Sequence, residues 1–382
     1  MAATDTLGGR GEARRILLVA FGVMALAALG AFGLAAFLWF SNDRAGALVA
    51  GMVMTTLALA AAALLTLQQK DRLVRAAINE ASIVRRLFRL PSRREPLVLG
   101  AQTPEVHVEG VDRLADCSSP ARVAVIAHWA PDSRVSRSVA ELTRVLSANE
   151  YWVVVVSTAE GAGPLEWPEP QPAGVTILRR PNAGYDFGSW ATALDRYPVV
   201  AGADQVLLMN DSLAGPFEPI DALLARFHDS MADVWGLTDT TQFGHHLQSY
   251  CLGFKNQTLR EAPLARFWRG IRVESSRDDV IWRYEIGLSR LLHRERYTLD
   301  VAINYGSVVR EGQNPTIIGW RQLLDRGFPF VKRQLLRSPE GPMALAARRL
   351  ARAVVPGEVA PDGDQVREEL KRRYGVDVDD WV

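Results

Sequence analysis

Cysteine is nearly missing. Cys117 and Cys251 are the two in 382 residues and lie far apart in the chain. No disulfide framework and no zinc-ligand spacing can be built from them, and a reducing compartment is the expected setting. A surplus of charge is missing too. The 44 Lys and Arg against 43 Asp and Glu leave a net charge of +1, which removes the electrostatic argument for a nucleic-acid partner. No segment repeats another, so a stacked-repeat architecture is excluded.

Long apolar runs, by contrast, are present at one end. Ile16 to Phe40 and Ala47 to Leu67 are both uninterrupted by charge, and each reaches the roughly 20 residues that a bilayer-spanning helix needs. They predict a transmembrane helical hairpin. A cleaved signal peptide is the competing reading of the first run, and its bulky Leu38-Trp39-Phe40 end with a second run close behind argues against it. Arg10, Arg14 and Arg15 precede the first run, and Lys70, Arg72, Arg75, Arg85, Arg86 and Arg89 follow the second. The positive-inside bias then predicts a two-pass protein of the bacterial inner membrane with both termini and the following domain in the cytoplasm. Between Asp71 and Leu90, apolar residues recur at helical spacing among arginines. That pattern fits an amphipathic helix on the anionic leaflet or a solvated linker helix equally well. Pro91 to Pro96 marks the boundary. The expected organisation is therefore 1–95 as membrane hairpin and linker, 96–337 as a soluble domain, and 338–382 as a helical tail with a linker before the helix at Gln365–Arg373.

Inside the soluble domain the pattern is strand, helix, strand. RVAVIAHW (122–129), a helix at Val139–Leu146 and YWVVVV (151–156) make a first unit; Val175–Leu178, a helix opening near Asp186 and Gln205–Met209 make a second. This order predicts an α/β fold with a doubly wound parallel sheet. Asp221–Phe227 and Trp320–Asp325 read as helices. Val234–Leu237 and Ser249–Phe254 read as strands added in antiparallel fashion. From Asp278 the stripe Ile281, Tyr284, Leu288, Leu291 and Leu292 is helical. Ligands of such sheets bind beyond the carboxyl ends of the strands. The polar clusters Arg179–Asp186 and Asn210–Ser212 should therefore face one crevice.

Read together and in this order, RRPNAGYDFGSW (179–190), VLLMNDSLAGPF (206–217), HHLQSYCLGF (245–254), YEIGLS (284–289) and NPTIIGWRQLLDRGFPFVKRQLL (314–336) make the chain resemble the rhamnan synthesis protein F family. Its members are bacterial cell-surface polysaccharide and lipopolysaccharide glycosyltransferases. The resemblance runs from about Arg122 to Arg337 and implies a GT-A-like, nucleotide-sugar-binding Rossmann-type sheet. It implies a nucleotide-sugar donor, dTDP-L-rhamnose being one candidate, and a lipid-linked or polysaccharide acceptor. It also implies a divalent cation, Mg2+ or Mn2+, at an acidic motif whose place is held here by Asn210-Asp211-Ser212. That motif supplies a single carboxylate, which puts the cation in question.

Each candidate has a plainer reading beside it. Asp211, aided by Asn210 and Ser212, would touch the cation or the donor; alternatively the trio is an Asx-turn closing a strand. Gly184 would admit a nucleotide, Tyr185 would stack on its base, Asn182 would line the same pocket and Asp186 would accept from a sugar hydroxyl. Asp186 also reads as the N-cap of its helix. Arg179 and Arg180 would pair with the diphosphate, one of them being a solvated strand end instead. Motif position implies Glu285 as general base, against a solvent-facing helix glutamate. His246, or its neighbour His245, would add a metal ligand, against a locally hydrogen-bonded imidazole. Lys332 and Arg333 would hold phosphate or acceptor. Two rival functions remain: a non-catalytic nucleotide-sugar-binding scaffold, and a transport component, which two spans without an intramembrane charge make the weaker.

Overall fold

The β-branched runs form strands whose alternate residues feed two different cores. In the computed structural model, Val123, Val125 and Ala127 of one strand pack on one side while Ala124 and Ile126 pack on the other. The neighbouring strands divide in the same way, Val154 and Val156 from Val153 and Val155, and Val206 and Leu208 from Leu207 and Met209. A strand buried on both faces reads as a continuous apolar run, because both side-chain rows must be apolar. The structure describes residue 97, residues 105–115, 117–161, 163–172, 174–274, 276–336 and 363–382. The apolar runs 16–40 and 47–67 and the amphipathic segment lie outside the described residues. Among the described residues no helix is long and apolar enough to cross a membrane.

In chain order the principal elements are β1 (His107–Glu109), β2 (Arg122–His128), α1 (Arg137–Ala148), β3 (Trp152–Ser157), β4 (Val175–Arg179), α2 (Tyr185–Arg196), β5 (Gln205–Asn210), β6 (Leu213–Ala214), α3 (Asp221–Asp229), β7 (Val234–Thr240), β8 (His246–Leu247), β9 (Cys251–Lys255), α4 (Ala262–Arg269), α5 (Ile286–Arg294), β10 (Leu299–Ile303), α6 (Trp320–Asp325), β11 (Val331–Lys332) and α7 (Gly363–Tyr374). The main sheet runs β1-β4-β3-β2-β5-β9-β7-β10, with β8 paired to β7. Strands β4, β3, β2 and β5 are mutually parallel. Strand β9 is antiparallel to both β5 and β7, as its short connection to β7 implied. Strand β10, which carries Asp300 and reads weakly as a strand, closes the sheet parallel to β7.

The chain moves outward from β2 to β3 and β4, then returns across β2 to lay β5 on its other side. Helix α1 packs in one core through Val139, Leu142 and Leu146, and α2 in the other through Phe187, Trp190 and Ala191. The strand order therefore reverses between β2 and β5, which is where an open α/β sheet leaves a crevice. Trp190 is fully buried and its indole N–H donates to the Met209 carbonyl at 2.9 Å, tying α2 to the end of β5. The pattern of Asp278–Leu292 is interrupted by a wide π turn over Ile281–Glu285, which precedes α5. Such a turn shifts the phase of the side chains that follow it.

The C-terminal residues pack on the same domain. Val366, Leu370, Val378 and Trp381 join Ala214, Trp320, Leu324 and Val331 in a third apolar cluster. Trp381 meets the Phe217 ring edge-on at 5.1 Å, lies under the Arg137 guanidinium at 4.9 Å, and accepts from the Ser138 hydroxyl through its carbonyl. Trp381→Ala removes a buried indole and should cost about 3 kcal/mol in urea denaturation followed by circular dichroism. Asp380→Ala, on an exposed side chain next to it, should change stability by less than about 0.5 kcal/mol.

Candidate functional site

At the switch point, strand ends become side-chain donors and acceptors. The Asp211 amide donates to the Ala127 carbonyl at 3.1 Å, and the Trp129 amide donates back to Asp211 Oδ2 at 2.8 Å. One carboxylate thus closes the gap between the ends of β2 and β5. A cavity of about 1010 Å3 opens beside it, lined by the end of β2 and the loop after it (His128 to Asp132), by Asn182, Tyr185 and Asp186, by Asp211 and Ser212, by Arg277, by Lys332 to Gln334, and by Arg367, Asp379 and Asp380.

The loop before α2 is built for close approach. Gly184 is the N-cap residue with φ of +80°, and Tyr185 follows at +55°. A left-handed tyrosine is uncommon and costs on the order of 1 kcal/mol. Here it leaves Tyr185 42% exposed at the cavity wall. Gly188 one turn on is required, because a Cβ there would lie 2.6 Å from the Ala183 carbonyl. Asp186 is not the N-cap expected of it: α2 has no side-chain cap. Its Oδ2 instead accepts from Asn210 Nδ2 at 2.6 Å, and Asn210 Oδ1 accepts from the Ser212 amide and hydroxyl at 3.1 and 2.6 Å. The expected Asx-turn at 210–212 is present, and it also orients the amide that holds Asp186.

Burial pushes the Asp186 carboxyl up to about 7, with the nearby Asp211 charge adding to the rise and the Asn210 bond and Arg277 opposing it. Burial also raises Asp211, against Arg333, whose Nη1 stands 3.7 Å from its Oδ2. Burial lowers Lys332, with Glu285 pulling the other way. His128 shares a 3.1 Å hydrogen bond with Ser157 Oγ, and burial brings it down to about 4, so it is neutral at pH 7.

Several expectations require correction. Arg179 does not reach the cavity: it is buried, paired with Glu109 Oε2 at 2.6 Å, and donates to the Gly161 and Gly163 carbonyls at 3.0 Å. Arg180 is likewise committed to Ser189 Oγ at 3.2 Å and to the Ala183 carbonyl. Both guanidiniums are engaged in fastening loops, although Arg180 Nε is buried without a partner among the described residues. His246 is a locally bonded imidazole, with Nδ1 2.8 Å from the Gly244 carbonyl and Nε2 facing Glu285 at 3.8 Å, and it does not line the cavity. His245 pairs with Asp239 at 2.8 Å. Glu285 is not solvent-facing: its side chain is 18% exposed and accepts from the Ser249 amide at 3.2 Å. Its charge is felt at Asp186 and Lys332, although it does not itself line the cavity.

The residues present do not fit a divalent cation. Among the described residues no three His, Cys, Asp or Glu side chains gather as ligands. Asp211 is already engaged by the Trp129 amide and by Arg333, and Asp186 by Asn210. A cation here would also be repelled by Lys332, Arg277 and Arg333.

Sequence reasoning missed Arg277, the loop after β2 and the C-terminal wall. The position of Trp129–Asp132 at a parallel strand's carboxyl end was a usable signal for the second of these. The other two are joined to the site only by tertiary packing.

Comparison with known proteins bears out the family resemblance. The model of the family described as rhamnan synthesis protein F matches residues 174–355, a span that begins at β4 and includes Asp186, Asp211, Lys332 and Arg333. The chain is 28% identical over 229 residues to virulence protein VirA of Vibrio anguillarum, covering 51% of this chain and 73% of that protein. It is 29% identical over 154 residues to the uncharacterized protein y4gN of Sinorhizobium fredii, covering 39% of this chain and 40% of that protein.

An acid with a raised folded-state value destabilises the fold as pH rises, because the folded chain holds a proton that the unfolded one releases earlier. For Asp186 the penalty should grow between about pH 4 and pH 7. Asp186→Asn keeps an acceptor for Asn210 and removes the penalty. The melting temperature of the variant should match the unsubstituted protein near pH 4 and exceed it at pH 8, by about 2–4 °C for each kcal/mol relieved.

Proposed function

With the rhamnan synthesis protein F match as premise, we propose that the chain is a glycosyltransferase of polysaccharide synthesis, moving a sugar from a nucleotide-sugar donor to a growing cell-surface polysaccharide or lipid-linked glycan. The observation that carries this reading is the convergence of Asp186, Asp211, Ser212, Lys332 and Arg333 on one cavity at the sheet's switch point. A parallel α/β sheet with its polar residues at that place is what a GT-A-like donor site requires. The cavity is of the size that small-molecule ligands occupy.

The donor's base stacks on exposed Tyr185, and its sugar lies toward Asp186. The resemblance implied Glu285 as base, but Asp186 is the better placed carboxylate, because it lines the cavity while Glu285 does not. Its value of about 7 also places the unprotonated form near working pH with enough basicity to be useful. The acceptor hydroxyl oxygen attacks the anomeric carbon and its proton passes to Asp186. The bond from that carbon to the diphosphate oxygen breaks, and the diphosphate departs with the electron pair toward the cationic side of the cavity. Glu285 acts from behind, by its charge on Asp186 and Lys332. The apolar runs 16–40 and 47–67 would hold this chemistry at the cytoplasmic face of the inner membrane, where an acceptor on a lipid carrier is concentrated in two dimensions.

The test is a transfer assay with the full chain in detergent, offering dTDP-L-rhamnose and UDP- and GDP-sugars with a lipid-linked glycan acceptor. One donor should support transfer, with kcat/KM rising as pH passes through about 7 and then levelling, since the base must be unprotonated. Asp186→Asn should lower kcat by about 10²–10⁴ while leaving donor binding intact. Donor binding without transfer by the unsubstituted protein would favour a scaffold, and full activity in Asp186→Asn would remove the assigned base.

A further inference from the structure

Most of the cations around the cavity are already engaged, while Asp186 and Asp380 also line it. Asp132 is paired with Arg134 at 2.7 Å, Asp379 with Arg367 at 3.1 Å, and Arg137 is stacked on Trp381. Arg333 stands beside Asp211. Two lining cations remain whose side chains have no ion-pair or hydrogen-bonding partner among the described residues, Arg277 and Lys332. Lys332 is half-buried at β11, with its ammonium 5.8 Å from the Tyr250 ring centroid. Arg277 opens the helical segment before the π turn and is exposed. The two side chains sense each other's charge, and both sense Asp186, so they converge on one side of the crevice. Leaving a half-desolvated ammonium without a partner is costly unless a ligand supplies the counter-charge.

We propose that Lys332, Arg277 and Arg333 bind the diphosphate of the nucleotide sugar directly, in the role that a divalent cation would otherwise fill. This rests on the reading of the crevice as the donor site. A nucleoside diphosphate carries two to three negative charges. The lysine and the two arginines offer matching charge, with donors that suit phosphate oxygens. Arg333 is anchored through its Nη1, which donates to the Asp211 carbonyl at 3.1 Å, while its ion pair to Asp211 Oδ2 is long at 3.7 Å and the Trp129 amide also satisfies that oxygen. Its remaining N–H donors can face phosphate while that backbone bond holds the guanidinium in place. Asp211 is then a positioning residue that fixes the loop after β2 and holds Arg333 in readiness.

The experiment is titration calorimetry on the full chain in detergent with dTDP, UDP, GDP and inorganic pyrophosphate, each with EDTA and again with Mn2+. At least one nucleotide should bind with EDTA present, with Mn2+ changing Kd by less than about threefold. Lys332→Met and Arg277→Ala should each weaken that binding about tenfold or more, and Lys332→Arg should restore most of it. Asp211→Asn keeps an acceptor for the Trp129 amide and the carbonyl that holds Arg333, and removes a negative charge from the crevice, so nucleotide should bind equally or more tightly. Binding that needs Mn2+ and is lost in Asp211→Asn would overturn the direct diphosphate contact and leave the donor-site reading standing. Binding unaffected by Lys332→Met would overturn it likewise. No binding of any nucleotide under either condition, by protein shown to be folded, would overturn the donor-site reading and this inference with it.

Discussion

Asp211 occupies the point where β2 and β5 part, and its contacts set the positions of the surrounding groups. Its backbone amide continues the ladder onto Ala127, while its carboxylate receives the Trp129 amide and faces Arg333. The strand to one side, the loop after β2 and the segment after β11 are thereby fixed to one residue. Sheet geometry explains why a charge is tolerated there: parallel strands end with unspent amides that a carboxylate can satisfy, and the reversal of strand order keeps helices from covering it. Desolvation raises its proton affinity, and Arg333 opposes that rise.

Around this point the polar groups form a graded series. Asn210 is neutral and bonds both ways, holding Asp186 with its amide nitrogen and receiving Ser212 with its amide oxygen. A second carboxylate in its place would stand beside two others that burial already disfavours, and would raise Asp186 further. The amide at this position instead lowers Asp186 through its hydrogen bond, against the rise caused by burial. Lys332, Arg277 and Arg333 line the same crevice, and among the described residues Lys332 and Arg277 have no ion-pair partner. The carboxylates can accept a proton and the cations can accept phosphate charge, which are the two roles that group transfer from a diphosphate needs.

Much of the sheet was legible in the sequence because its parallel strands are apolar on both faces. RVAVIAH, WVVVVS and QVLLMN carry no ambiguity of period, and α1, α2 and α6 were marked by their apolar spacing. Strand β10 was not legible, because LDVAI is half-exposed at the edge and carries an acid. The pair β6–β11 and the short β8 are fixed by partners more than by their own residues. Helix α4 was missed behind a proline at its first turn. At the site, the clusters 182–186 and 210–212 were placed correctly by the rule of strand carboxyl ends. Arg179 failed because alternation turned it away from the crevice into a loop that needed its donors. Glu285 lies near the crevice, held by the Ser249 amide within the π turn, without lining the cavity itself. Arg277 and the C-terminal wall carry no motif, and only packing brings them in.

The central claim is that the switch-point crevice is where a nucleotide sugar lies, and it is tested most directly by an experimental structure of the chain with a bound nucleoside diphosphate. The account predicts the base on the Tyr185 ring, the diphosphate against Lys332, Arg277 and Arg333, and the position of the anomeric carbon within reach of Asp186. A nucleotide found elsewhere, for instance in the smaller cavity of about 270 Å3 bounded by Leu194, Arg260 and Trp268, would contradict it.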